Sequence, residues 1–97
     1  MKIKILPQAL EDLRDGYHFY EERQAGLGSK FLTELLAEIE GLRIQAGIHR
    51  RAFETYYVKH ARRFPYSIYY YVASETVMID AVIDQRRDPD LITERLS

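Results

Sequence analysis

Lys2, Ile3, Lys4, Ile5 and Leu6 alternate polar and apolar side chains, the period of a strand that buries one face. Pro7 follows; it has no N–H to donate and its fixed φ suits the first turn of a helix. From Ala9 onward, Leu10, Leu13, Tyr17 and Tyr20 recur at spacings of three and four, with Glu11, Asp12, Asp15, Glu21 and Glu22 off that stripe. This predicts an amphipathic helix with those four residues on its buried face. Gly26, Leu27, Gly28 and Ser29 break the pattern, since glycine permits a tight reversal and serine is placed to cap a new helix. A second stripe, Phe31, Leu32, Leu35, Leu36, Ile39 and Leu42, predicts a second helix that Gly47 terminates.

Beyond Gly47 the chain turns aromatic and β-branched: Phe53, Tyr56, Tyr57 and Val58, then 64–72, then 77–83. These runs predict three strands in a meander, the last two joined at Ser74, Glu75 and Thr76. Strict alternation puts Tyr66, Ile68, Tyr70 and Val72 on one face, and Val77, Ile79, Ala81 and Ile83 on the matching face of the next strand. Those faces are expected to cover the helical hairpin. The ending from Asp90 carries Leu91, Ile92 and Leu96, enough for a short helix or a loose tail. The fold class is therefore α+β in the order β-α-α-β-β-β, with one domain expected over 1–97.

Composition changes this picture little. Apolar residues at 46% and charged residues at 30% supply a core and a solvated surface, which excludes a disordered chain. With no cysteine there is neither a disulfide framework nor a thiolate nucleophile or metal site. No apolar run reaches the length of a membrane span, and the start lacks a signal-peptide pattern, so a cytoplasmic protein with no membrane partner is expected. His18, His49 and His60 lack metal-ligand spacing, and no Gly-rich phosphate loop or serine-nucleophile motif is present; no metal and no cofactor are assigned.

Charge is more informative. The net charge is −1, yet between His49 and Arg63 five cations (Arg50, Arg51, Lys59, Arg62, Arg63) face one acid, Glu54. Lys59, His60, Arg62 and Arg63 lead into Phe64, Pro65 and Tyr66, a basic stretch flanked by rings that suits phosphates and bases; as a plain solvated turn it needs no ligand. Arg86 and Arg87 leave the last predicted strand with guanidinium forks that fit phosphate or carboxylate. Asp84, Asp88 and Asp90 lie close enough in sequence to neutralise them locally instead.

Several stretches together resemble the RelE/ParE toxin superfamily in its plasmid-stabilisation branch. They are Ala9, Asp12 and Leu13; Tyr20, Glu21 and Glu22; Gly26, Leu27, Gly28, Phe31 and Leu32; Arg63, Phe64, Pro65, Tyr66, Ile68 and Tyr70; Ala81 and Val82; and Arg86, Arg87, Asp88 and Pro89. The similarity is distributed over about positions 9–89 and implies the fold already read from the pattern. Asp84 stands where the family commonly has a histidine, two residues before the paired arginines, which argues against a histidine-dependent role there.

The resemblance implies the toxin of a bacterial type II toxin–antitoxin pair with a cognate antitoxin protein as partner. A ParE-like member binds and inhibits DNA gyrase without chemistry of its own. A RelE-like member is an endoribonuclease that cleaves mRNA on the ribosome; Arg62, Arg63, Arg86 and Arg87 would then stabilise charge, and Tyr69 or His60 would move a proton. In either case Arg86, Arg87, Lys59, His60, Arg62 and Arg63 are the candidate target- or anion-binding residues. Near-neutral charge, a long helical hairpin and no evident catalytic constellation favour the gyrase reading. A non-toxic relic that only binds its antitoxin is a third reading. The antitoxin is expected to dock on an exposed sheet edge or the hairpin groove.

Overall fold

The computed structural model describes residues 1–51 and 55–96; the expected strand residue Phe53 and the acid Glu54 fall outside them. A strand, β1 (Lys2–Ile5), leads into a helical hairpin, α1 (Pro7–Arg23) and α2 (Leu27–Glu40), and a single further turn, α3 (Leu42–Gln45). Four strands follow: β2 (Arg50–Arg51), β3 (Tyr57–His60), β4 (Tyr66–Ala73) and β5 (Thr76–Asp84). A last helix, α4 (Pro89–Leu96), ends the chain. The sheet order is β1-β5-β4-β3-β2, with β1 parallel to β5 and the other pairs antiparallel. The β-α-α-β-β-β order holds, with two additions: the two-residue strand β2 at one edge and the folded C-terminal helix.

The hairpin packs at close range. Gly26 takes a left-handed φ of 90° to reverse the chain, and its neighbour Gly28 lies so near α1 that a Cβ there would sit 2.5 Å from the Tyr17 carbonyl oxygen. Ser29 does not cap α2 as expected; it lies inside the first turn. The cap comes from α1: the Glu21 carboxylate accepts the N–H groups of Gly26 (3.0 Å) and Gly28 (2.9 Å), placing negative charge at the positive end of α2.

The buried face of α1 is also rotated from the expected one. Ala9, Leu13 and Gly16 are buried, with Tyr20 packed against the core, whereas Leu10 is exposed and Tyr17 half-buried. The spacing is still helical, but small residues occupy two of its positions. The second stripe is as expected at Phe31, Leu35, Ile39 and Leu42, although Gly41 divides it between α2 and α3.

Sheet and hairpin enclose one core and the reverse face of the sheet builds a second. Tyr66, Ile68 and Tyr70 of β4 join Leu13, Phe31 and Leu35 beneath the hairpin. In β5 the expected single-face alternation fails. Tyr69 pairs with Ala81 but Tyr70 pairs with Ile79, so Asp80 is an extra residue, a β-bulge. One added residue reverses the parity of a strand. Val77, Ile79 and Val82 therefore face the hairpin, while Ala81 and Ile83 face the other way with Val58 and Tyr69. Ile92 and Leu96 of α4, and Tyr56, pack on that second cluster.

Candidate functional site

The bulge leaves a backbone group to be satisfied. β1 ends opposite Ile79, so β5 has no partner strand on that side beyond it. The Val82 N–H instead meets the Asp12 carboxylate of α1 at 2.9 Å. Arg95 of α4 grips the same carboxylate through both Nη atoms, at 2.9 and 2.7 Å. Asp12 thus ties α1, β5 and α4 together. Asp12 belongs to the family-like residues, but its partners lie 70 and 83 positions away, beyond the reach of sequence spacing.

At the end of β5, Asp84 does what local charge allowed it to do. Its carboxylate accepts the Arg86 backbone N–H at 2.8 Å and both arms of the Arg86 guanidinium at 2.9 and 2.7 Å. These bonds hold the Asp84 carboxyl below its ordinary range and raise the Arg86 guanidinium still further. Arg86 lies beside the phenol of Tyr20, and both Tyr20 and Tyr66 are raised chiefly by burial, Tyr66 to about 12. Tyr20, Phe31, Phe64 and Tyr66 form an aromatic cluster behind this pair, with ring centroids 4.9 to 6.2 Å apart. Pro89 opens α4, whose first turn is capped by Asp88 Oδ1 accepting the Asp90 N–H at 2.8 Å. Among the described residues the Arg87 side chain makes no hydrogen bond or ion pair.

The basic stretch before β4 does not gather into one site. Lys59 turns under the hairpin, its ammonium donating to the Glu38 carbonyl oxygen at 2.9 Å. His60 projects from the opposite face, its Nδ1 2.7 Å from the buried Ser67 Oγ. Arg63 donates to Glu34 at 3.0 Å, and Arg62 is exposed. Tyr69 lies with Val58, Ala81 and Ile83 on the second face, whereas Tyr66, the ring near Arg86, belongs to the core under the hairpin. The residues assigned to RNA cleavage are thus divided between the two faces of the sheet: His60 and Tyr69 on one, the surroundings of Arg86 on the other.

A cleft of about 600 Å³ opens between α1, the end of β5 and α4. Asp12, Asp15, Gly16 and Phe19 line it from α1, Val82 to Asp84 from β5, and Leu91, Ile92, Glu94 and Arg95 from α4, with Arg87 at its edge. A shallower and almost wholly apolar groove of about 270 Å³ lies on the hairpin at Leu10, Leu13, Arg14, Tyr17 and Leu32. Among the described residues no three histidine, aspartate or glutamate side chains come together to hold a metal ion. No described helix is long and apolar enough to cross a membrane.

A helical hairpin on a mixed five-stranded sheet, with paired arginines after the last strand, defines the class as a small α+β protein. Residues 3–89 match the family described as ParE toxin of type II toxin-antitoxin system, parDE, and the chain belongs to that family. It is thus the toxin component of a type II toxin–antitoxin system, with an antitoxin as its partner. Among solved structures, a chain of the "Chromosomal ParDE TA system from P. aeruginosa" is similar in fold, with a TM-score of 0.80 at 18% identity. That likeness covers 87% of this chain and 95% of the other. No curated protein matches the sequence.

Proposed function

We propose that this toxin acts in the bacterial cytoplasm by binding DNA gyrase and inhibiting it, as one domain over 1–97, and performs no chemistry of its own. The observation that carries this reading is the state of the groups around Arg86. A general base needs a pKa near the working pH and an unoccupied acceptor. Asp84 accepts three hydrogen bonds from Arg86 that hold its pKa below the ordinary value, which makes it a weak base, and Tyr66, at about 12, stays protonated. What remains is an exposed cationic surface, Arg86 and Arg87, backed by the half-buried Tyr20 and suited to gripping a macromolecule. The division of His60 and Tyr69 from that surface weighs against ribosome-dependent RNA cleavage.

The test is a gyrase supercoiling assay run beside reconstituted translation with the same purified protein. Inhibited supercoiling with intact mRNA is expected; mRNA cut only on ribosomes, with supercoiling untouched, would overturn the proposal. In cells, Arg86→Ala with Arg87→Ala is expected to relieve growth arrest while the protein remains folded. Full arrest by that double variant would remove the arginine pair from the site.

A further inference from the structure

We infer that the cleft between α1, β5 and α4 seats a segment of the antitoxin that presents a large apolar side chain next to a lysine or arginine. The inference rests on the toxin–antitoxin reading and adds to it a place and a recognition chemistry.

About 600 Å³ accommodates two or three peptide side chains. Leu91 and, on the opposite wall, Phe19, with the Arg23 guanidinium 3.7 Å over its ring, are still 52% and 38% exposed. Large apolar side chains left open across a cleft mark a surface that another chain covers. Asp12 and Arg95 brace the cleft from inside, so its walls are in place before a ligand arrives.

Asp12 and Asp84 are consumed by Arg95 and Arg86. Asp15 and Glu94 line the same cleft and have no hydrogen bond or ion pair among the described residues, as does Arg87. The uncommitted charge is therefore two carboxylates against one guanidinium. A polyanion such as nucleic acid is repelled, and a cationic side chain flanked by apolar ones is matched. The cleft includes Asp84 and Arg87, so a peptide lying in it covers Arg87, one of the two arginines proposed to grip the target, which is what an antitoxin must do.

The experiment titrates the cognate antitoxin into the purified full chain by calorimetry. Asp15→Lys with Glu94→Lys, and separately Leu91→Asp, are each expected to weaken binding at least tenfold with circular dichroism unchanged, because all three side chains are exposed. Charge reversal of one basic antitoxin residue is expected to recover part of the loss in the double lysine variant. Wild-type affinity in both cleft variants would overturn the inference. So would an affinity lost on Leu10→Asp or Tyr17→Asp, in the hairpin groove, and kept on the cleft changes. Absence of any complex with the wild-type chain would instead overturn the pairing itself, and the inference with it.

Discussion

Replacing Asp12 by alanine removes one carboxylate that serves three elements, and its cost follows from what is left behind. The Val82 N–H loses its acceptor at a place where no strand can supply another, a penalty of about 1–3 kcal/mol. The Arg95 guanidinium loses both of its bonds. For a fully buried pair that loss runs to roughly 3–5 kcal/mol. Here the side chains of Arg95 and Asp12 are 29% and 14% exposed, so water recovers part of it. A total near ~3 kcal/mol is expected, a large share of the roughly 5–15 kcal/mol that holds a domain of this size. The melting temperature should fall by about 12–24 °C.

Asp12→Asn keeps an oxygen for Val82 and should cost about half as much as alanine, near ~1.5 kcal/mol. Arg95→Met leaves the Asp12–Val82 bond intact and should cost ~1 kcal/mol. Urea denaturation followed by circular dichroism measures all three, and a double-mutant cycle on Asp12→Asn and Arg95→Met isolates the pair. A loss below ~1 kcal/mol for Asp12→Ala would refute the reasoning, as would asparagine proving no better than alanine.

Three further outcomes are expected. Gly28→Ala should destabilise by about 2 kcal/mol in the same denaturation assay, because its Cβ meets the backbone oxygen of Tyr17 and α1 must move away. Glu75→Gly should stabilise by ~0.5 kcal/mol, since Ser74 and Glu75 both adopt left-handed φ values, 51° and 59°, in the β4–β5 turn. Burial, then Lys59, lowers the pKa of His49, whose Nδ1 lies 2.6 Å from Tyr70 Oη. With the folded value below the unfolded one near 6.5, the unfolded chain binds more protons in between. The contribution of His49 is therefore full above about pH 6.5 and lost as pH falls through the folded value; His49→Gln should flatten melting temperature against pH across that window.

Much of the architecture was legible because it depends on period and punctuation. The strand–helix handover at Pro7, the hairpin at Gly26 and the β4 face of Tyr66, Ile68 and Tyr70 all follow from spacing alone. The buried face of α1 was misplaced because Ala9 and Gly16 lie under the sheet and hairpin while Leu10 turns outward, and a stripe drawn through large residues cannot see small ones. In β5 one extra residue, Asp80, reversed the side-chain parity, and nothing in Val77 to Ile83 marks it. Arg86 meeting Asp84 was visible as a local possibility. The division of Lys59, His60 and Arg63 among three different neighbours was not, since Lys59 and His60 are adjacent in β3 and point to opposite faces, and the acceptors of Lys59 and Arg63 lie on α2, more than twenty residues away.

The parallel pairing of β1 with β5 also has a consequence for synthesis. Lys2 to Ile5 leave the ribosome ahead of their strand partner, Thr76 to Ile79, which is made more than seventy residues later. Closing that loop costs chain entropy and gives nothing back until the last strand exists. Through most of translation the nascent toxin carries an unpaired N-terminal strand and a hairpin without its floor. The sheet closes only once β5, which lies between β1 and β4, has been made.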